Sequence, residues 1–159
     1  WDVSKVADMY NLFSSLPHFN QPIGNWDVSN VRNMVFMFGI HSRNHEFNQP
    51  IGNWDVSKVT SMYGMFNGYK WAGYGELAAF NQPLSDWDVS NVQDMRRMFY
   101  SSEFNQPLDW NTSKVTTMES MFGNAQYFNQ PLHFETSQVK SVGFMFQFAK
   151  NFMSISNFI

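Results

Sequence analysis

No cysteine occurs among the 159 residues, which excludes disulfide staples and thiolate metal ligands and leaves the redox compartment open. Charge is also scarce: 14% of residues are Asp, Glu, Lys or Arg and the net charge is −3, where an average domain carries roughly 25%. The ten basic residues are scattered, Arg96-Arg97 being the one adjacent pair. That pattern lacks the clustered cations with which a nucleic-acid stripe displaces phosphate counterions. No apolar run approaches the roughly 20 residues that cross a bilayer, so no direct membrane insertion is expected within this segment. The glycines form no phosphate-cradling motif.

What is abundant is aromatic and repeated. The chain holds 17 Phe, 6 Trp, 6 Tyr and 11 Met. A Trp-Asp-Val-Ser-x-Val phrase begins at Trp1, Trp26, Trp54 and Trp87, with altered copies at Trp110 and Phe134, so the intervals are 25, 28, 33, 23 and 24 residues. Each phrase is followed by Met-x-x-Met-Phe or a variant of it, then in most units by Phe-Asn-Gln-Pro. Self-similarity at roughly 20 to 50 residues marks a stacked architecture in which each unit buries its apolar face against its neighbours. Phe, Trp and Met at fixed repeat positions then form internal columns. Trp1 opens in mid-repeat, as expected of a fragment of a longer chain.

Within the second unit, Val31, Met34, Met37 and Phe38 fall at i, i+3, i+6 and i+7, a spacing that predicts a short helix of about two turns. The same face recurs at Val59, Met62, Met65 and Phe66, and in the later units. Upstream, Asp27 and Ser29 supply the short oxygen-bearing side chains of a helix N-cap. The segment Ile23 to Trp26 reads as a short parallel rung with Pro22 at its entrance. Asn20, Asn48, Asn81, Asn105 and Asn129 recur in register and are expected to form a ladder of side-chain amides bonded to turn backbone. The Asn111-Thr112-Ser113 sequon reads as a substituted cap.

The phrases Phe-Asn-Gln-Pro-Ile-Gly-Asn-Trp-Asp-Val-Ser-Asn-Val at 19 to 31 and Met-x-x-Met-Phe at 34 to 38 resemble the repeat of BspA-like leucine-rich-repeat surface proteins, of the mycoplasma-lipoprotein type. The resemblance spans essentially the whole chain and fades in the sixth unit, at Phe134-Glu135-Thr136 and in the tail from Asn151. It implies display at a cell surface or outside the cell, including association with virions, and adhesion as the activity. It carries no catalytic residues to transfer. The fold class expected is α/β: a right-handed leucine-rich-repeat-like solenoid of about six coils, with very short parallel strands and short helices. It is expected to form one domain over 1–159, with coils starting near 1, 19, 47, 80, 104 and 128.

Two insertions interrupt the rhythm, 39–46 and 67–79. Both follow the same element of adjacent coils, so they are expected to emerge side by side. They place Tyr69, Lys70, Trp71, Tyr74, His41, Arg43 and His45 outside the core register, and Tyr, Trp and Arg are the types enriched at interface hot spots. These seven are the candidate binding residues. Packing of Trp71 and Tyr74 back onto the flank is the competing expectation. His41, His45 and Glu46 lack the third strong ligand of a metal site, and no cofactor is expected. The row Asp2, Asp27, Asp55 and Asp88 lacks the neighbouring acceptors of a calcium repeat and the paired environments of an acid and base.

The functional expectation is a non-enzymatic surface or structural repeat protein that mediates protein–protein interaction or adhesion through its flank and insertion loops. Two alternatives stand beside it. One is a carbohydrate-binding module stacking sugars on Tyr69, Trp71 and Tyr74, and the other is an architectural component of a larger surface or virion assembly.

Overall fold

Each Asp-x-Ser closes a turn on itself. In the computed structural model, which describes residues 1–14, 16–39, 45–71 and 74–153, the side-chain oxygen of Asp27 accepts the Ser29 N–H at 3.1 Å. Asp2, Asp55 and Asp88 do the same for Ser4, Ser57 and Ser90. Asn111 and Glu135 take over the role in the last two units. The next step is a second turn, in which the Val31 N–H donates to the Val28 carbonyl at 2.8 Å, with counterparts in every unit. The Asp and Ser therefore build Asx-turns, the other use of the chemistry that suits these residues to helix caps.

The helices expected after these turns do not form: no helix occurs among the described residues. The third residue of each Met-x-x-Met-Phe sits in the left-handed region instead. Asn11, Phe36, Gly64, Arg97, Ser120 and Phe144 have φ of 56°, 50°, 61°, 51°, 55° and 57°. Met37 N–H bonds back to the Met34 carbonyl at 3.2 Å and Gly39 N–H to Phe36 at 3.2 Å. The first is a turn of the type II kind, which requires φ > 0 at its third residue. Two overlapping three-residue turns return side chains to the same face at i, i+3 and i+4, so they mimic the helical period.

Backbone groups that a helix would use internally run between coils. Met34, Phe36 and Phe38 donate to Ser61, Tyr63 and Met65 of the next coil at 3.1, 2.9 and 3.0 Å, while Thr60 donates back to Arg32 at 2.9 Å. Single parallel bridges result, Asp8 to Asn33 to Ser61 to Asp94 to Thr117 to Ser141. Isolated bridges are not strands, so the expected parallel sheet is replaced by a column of such bridges. Ile23–Trp26 is itself a turn, closed by Trp26 N–H on the Ile23 carbonyl at 3.0 Å. In the shortened fifth and sixth units that turn is missing and Leu108 bridges Leu132. The expected α/β helical solenoid is thus corrected to six irregular coils built from turns and stacked in register.

The core that these turns enclose is aromatic. Phe38 and Phe47, at the two ends of one connector, stack at 3.9 Å, as do Phe66 and Phe80, while Phe99 and Phe104 stack at 4.0 Å. Successive coils continue the stack at 5.6 to 5.7 Å, as between Phe38 and Phe66 and between Phe99 and Phe122. Met34, Met62, Met95 and Met118 form a parallel column with no exposed surface. Each indole of Trp54, Trp87 and Trp110 donates to a carbonyl of the preceding coil, at 3.2, 3.0 and 2.9 Å. That gives a buried ring the partner its N–H needs.

The asparagine ladder forms as expected. Asn81 Oδ1 accepts both the Asn105 N–H at 2.9 Å and the Gln106 side-chain amide at 3.1 Å, and Asn20, Asn48 and Asn105 serve the coils that follow them in the same way. Removing Asn81 leaves the Asn105 N–H without its acceptor. We expect Asn81→Ala to lower the unfolding free energy by about 1–3 kcal/mol, measured by urea denaturation. A loss as small as that of an exposed Asn→Ala control would refute a structural ladder.

Candidate functional site

The two insertions meet at their feet. His45 accepts the Ala79 N–H on its carbonyl at 3.0 Å, and a β-carbon at Gly39 would collide with the Gly64 carbonyl and press on Asn67. The longer insertion is also tied to the next coil, with Gly68 N–H on Tyr100 at 2.7 Å and Ala78 N–H on Ser101 at 2.9 Å. Gly68 passes so close to the Ser101 carbonyl that any side chain would clash, a close approach that selects glycine.

Between these feet stand two three-residue strands, β1 (Tyr69–Trp71) and β2 (Tyr74–Glu76), paired antiparallel. The register opposes Tyr69 to Glu76, Lys70 to Gly75 and Trp71 to Tyr74. Directly opposed positions share a face, as do positions two apart on a strand. Positions 69, 71, 74 and 76 therefore lie on one face of the ribbon, and 70 and 75 on the other. Tyr69 is exposed. The side chains of Lys70, Trp71 and Tyr74, and all of His41 and Arg43, lie outside the described residues. The competing expectation, packing of Trp71 and Tyr74 onto the flank, falls there too.

His45 departs from its expected role as a recognition residue. It is buried, its Nδ1 accepts the Phe47 N–H at 3.3 Å, and its Nε2–H donates to the Phe13 carbonyl at 3.0 Å. Both ring nitrogens are committed, so His45 joins the first coil to the second and is closed to metal. No group of three or more potential metal-binding side chains occurs among the described residues. The signal lay in the repeat: His45 stands two residues before the Phe of Phe-Asn-Gln-Pro, where Ser102 accepts the Phe104 N–H at 3.0 Å.

Aromatic and basic residues that the insertion argument passed over also lie on this flank. Tyr100, which receives the Gly68 N–H, carries the Arg97 guanidinium 5.5 Å from its ring centre. Arg96 lies 4.7 Å over Tyr63 while pairing with Asp94 at 2.7 Å. Their sequence signal was Arg96-Arg97 at the variable positions of Met-x-x-Met-Phe. His18 and Glu46, 2.7 Å apart and exposed, bridge the first two coils beside His45.

The sequence matches the family described as Mycoplasma protein of unknown function, DUF285, over residues 1–72 and again over 70–158. The chain belongs to the DUF285 family. No curated protein and no solved structure matches it. The two DUF285 matches overlap at 70–72 and together span residues 1–158. The leucine-rich-repeat geometry does not follow from this membership, and the turn-built coils depart from it.

Two sets of titrating groups in this DUF285 chain act on stability. Burial pushes the His45 pKa below its usual 6.5, despite the opposing hydrogen bond to Phe13 and the charge of Glu46. The folded state thus favours neutral His45, and its contribution is complete above pH 6.5 and lost as pH falls from there toward the lowered folded value. Hydrogen bonds from the Ser hydroxyl and then the Ser N–H hold Asp2, Asp27, Asp55 and Asp88 below 3.8. Their contribution is present above pH 3.8 and disappears as pH falls through the folded values. Melting temperature is accordingly expected to fall in two steps, the first starting near pH 6.5 and the second below 3.8. His45→Gln, which places at 45 the residue found at the equivalent Gln126, should remove the first step and keep the second. An unchanged first step would assign it to another group.

Proposed function

We propose that this protein is a non-enzymatic repeat scaffold displayed at a cell surface, and that it adheres to a protein partner through the hairpin Tyr69–Glu76 and the adjoining flank. One observation carries the reading. Thirteen residues, 67–79, are inserted between Phe66 and Phe80, yet those rings still stack at 3.9 Å, as in coils with shorter connectors. An insertion that leaves the core geometry untouched is not needed for folding, and loops held by a rigid scaffold are the common site of recognition.

Further support comes from its surroundings. The hairpin is fixed at both feet, which lowers the entropy lost on binding, and it rises beside the Arg97–Tyr100 pair. Surface display rests on the resemblance of Phe-Asn-Gln-Pro-Ile-Gly-Asn-Trp-Asp-Val-Ser to BspA-like repeats. Carbohydrate binding is the second reading, favoured by the three aromatic positions 69, 71 and 74 on one ribbon face, an arrangement suited to stacking on a sugar ring.

Replacing 67–79 by the four-residue connector 100–103 provides the test. Closing a shorter loop costs less entropy, so the melting temperature is expected to hold or rise slightly. Adhesion of the purified protein to cells is expected to fall by about tenfold or more, as for loss of an interface hot spot. Undiminished adhesion with an intact fold would remove the hairpin from the mechanism. A glycan-array signal that vanishes in Trp71→Ala would move the assignment to carbohydrate.

A further inference from the structure

The turn that opens each unit is closed by a carboxylate at Asp2, Asp27, Asp55, Asp88 and Glu135, but by an amide at Asn111. The turn itself is kept, because Asn111 Oδ1 accepts the Ser113 N–H at 3.1 Å. What differs is the hydroxyl two residues on. Asp2 accepts the Ser4 hydroxyl at 2.7 Å, and Asp27, Asp55 and Asp88 take those of Ser29, Ser57 and Ser90. Ser113 Oγ makes no hydrogen bond among the described residues. Asn111 Nδ2 is free in the same sense, whereas Asn30, Asn53 and Asn91 donate theirs to carbonyls of the preceding coil at 2.8, 2.8 and 2.7 Å.

The residues on either side hold this pair in place. Trp110 is buried with its indole on the Leu84 carbonyl at 2.9 Å, and Thr112 is buried with its hydroxyl on the Glu135 carbonyl at 2.9 Å. Between two anchored side chains Asn111 is exposed. Asp closes such a turn as well as Asn does, so the exchange gains nothing for the fold and gives up the bond to the hydroxyl. What it adds is an accessible amide nitrogen, two residues before an uncommitted hydroxyl.

We propose that Asn111 is an acceptor for N-linked glycosylation. Asn111-Thr112-Ser113 is the one Asn-x-Ser/Thr sequence in the chain, and such a sequence on an exposed turn is the acceptor pattern. The donor is an oligosaccharide linked through a diphosphate to a lipid, and a transferase reads the Ser113 hydroxyl. Asn111 Nδ2 attacks the anomeric carbon. The new C–N bond forms as the C–O bond to phosphate breaks, the diphosphate leaves on its lipid with the electron pair, and Nδ2 gives up one proton. Nothing is oxidised or reduced. The product is a secondary amide whose Oδ1 still accepts the Ser113 N–H, so the turn carries the sugar without being rebuilt. A carboxylate at this place, as in the other units, has no nitrogen to glycosylate. The inference is independent of the hairpin. It shares with surface display only the need for export, which the test supplies.

The 159-residue chain is directed into the secretory pathway of eukaryotic cells by a cleavable signal peptide, and secreted and retained protein are both collected. Intact mass and tryptic peptides are measured before and after peptide N-glycosidase, which leaves Asp where a glycosylated Asn stood. Wild type is expected to carry one glycan, on Asn111. Asn111→Asp restores the carboxylate of the other units and Ser113→Ala removes the hydroxyl, so each is expected to lose the glycan, while Ser113→Thr keeps it. Folded wild type without glycan overturns the proposal, as does a glycan that persists in Ser113→Ala. Glycosylated wild type is expected to melt with Asn111→Asp. Melting well below that variant would show that the turn does not tolerate the sugar and would equally overturn the assignment.

Discussion

The hydrogen bond between coils is the interaction on which the rest of the structure depends. A short turn-built coil has no internal ladder: among the described residues its own backbone bonds are single turns such as Met37 N–H to Met34 C=O, and the repeating pairs run from one coil to the next through groups such as Met34 N–H and Ser61 C=O. A single coil would leave these groups unpaired around an apolar centre. Stability is therefore a property of neighbours, as in other repeat arrays, where it approximates a sum over units and the contacts between them.

This dependence explains why sequence identity is so strict at some positions and loose at others. The spacing of coils is set by backbone bonds near 2.9 Å, and each coil must then fill the same cross-section with the same rings and sulfurs. Phe38, Phe66, Phe99 and Phe122 are fixed for that reason. The left-handed position accepts Asn, Phe, Gly, Arg or Ser, because what it contributes is a backbone turn. Non-glycine residues there carry a strain that must be offset by the bonds on either side.

Much of the fold was legible in the residues, and what was not has a physical cause. The repeat boundaries, the internal columns of Phe and Met and the Asn ladder follow from register alone, because stacking copies puts like on like. The helix did not follow. Val31, Met34, Met37 and Phe38 satisfy both a helical period and a pair of overlapping turns, and apolar spacing reports which side chains point inward without reporting where the N–H groups bond. The parallel rung failed for a related reason: Ile23-Gly24-Asn25-Trp26 carries turn chemistry at its centre, and Gly24-Asn25 outweighed the flanking apolar pair. At the candidate site, the neighbouring positions of 39–46 and 67–79 were legible because they count from the same Phe. The burial of His45 was hidden by treating all of 39–46 as insertion. Aligned backward from Phe47, it falls on a repeat position.

The same alignment separates two kinds of surface. Along the flank, side chains vary from coil to coil, so Tyr63, Arg96 and Glu119 follow one another at one position. Between coils the surface is the repeat itself, donors on one face and acceptors on the other. A flank can take a longer connector, as 67–79 illustrates, without disturbing the rings beneath. A face between coils cannot change without also changing the coil that it meets. Sequence variation is therefore concentrated on the flank, while the faces between coils keep the repeat.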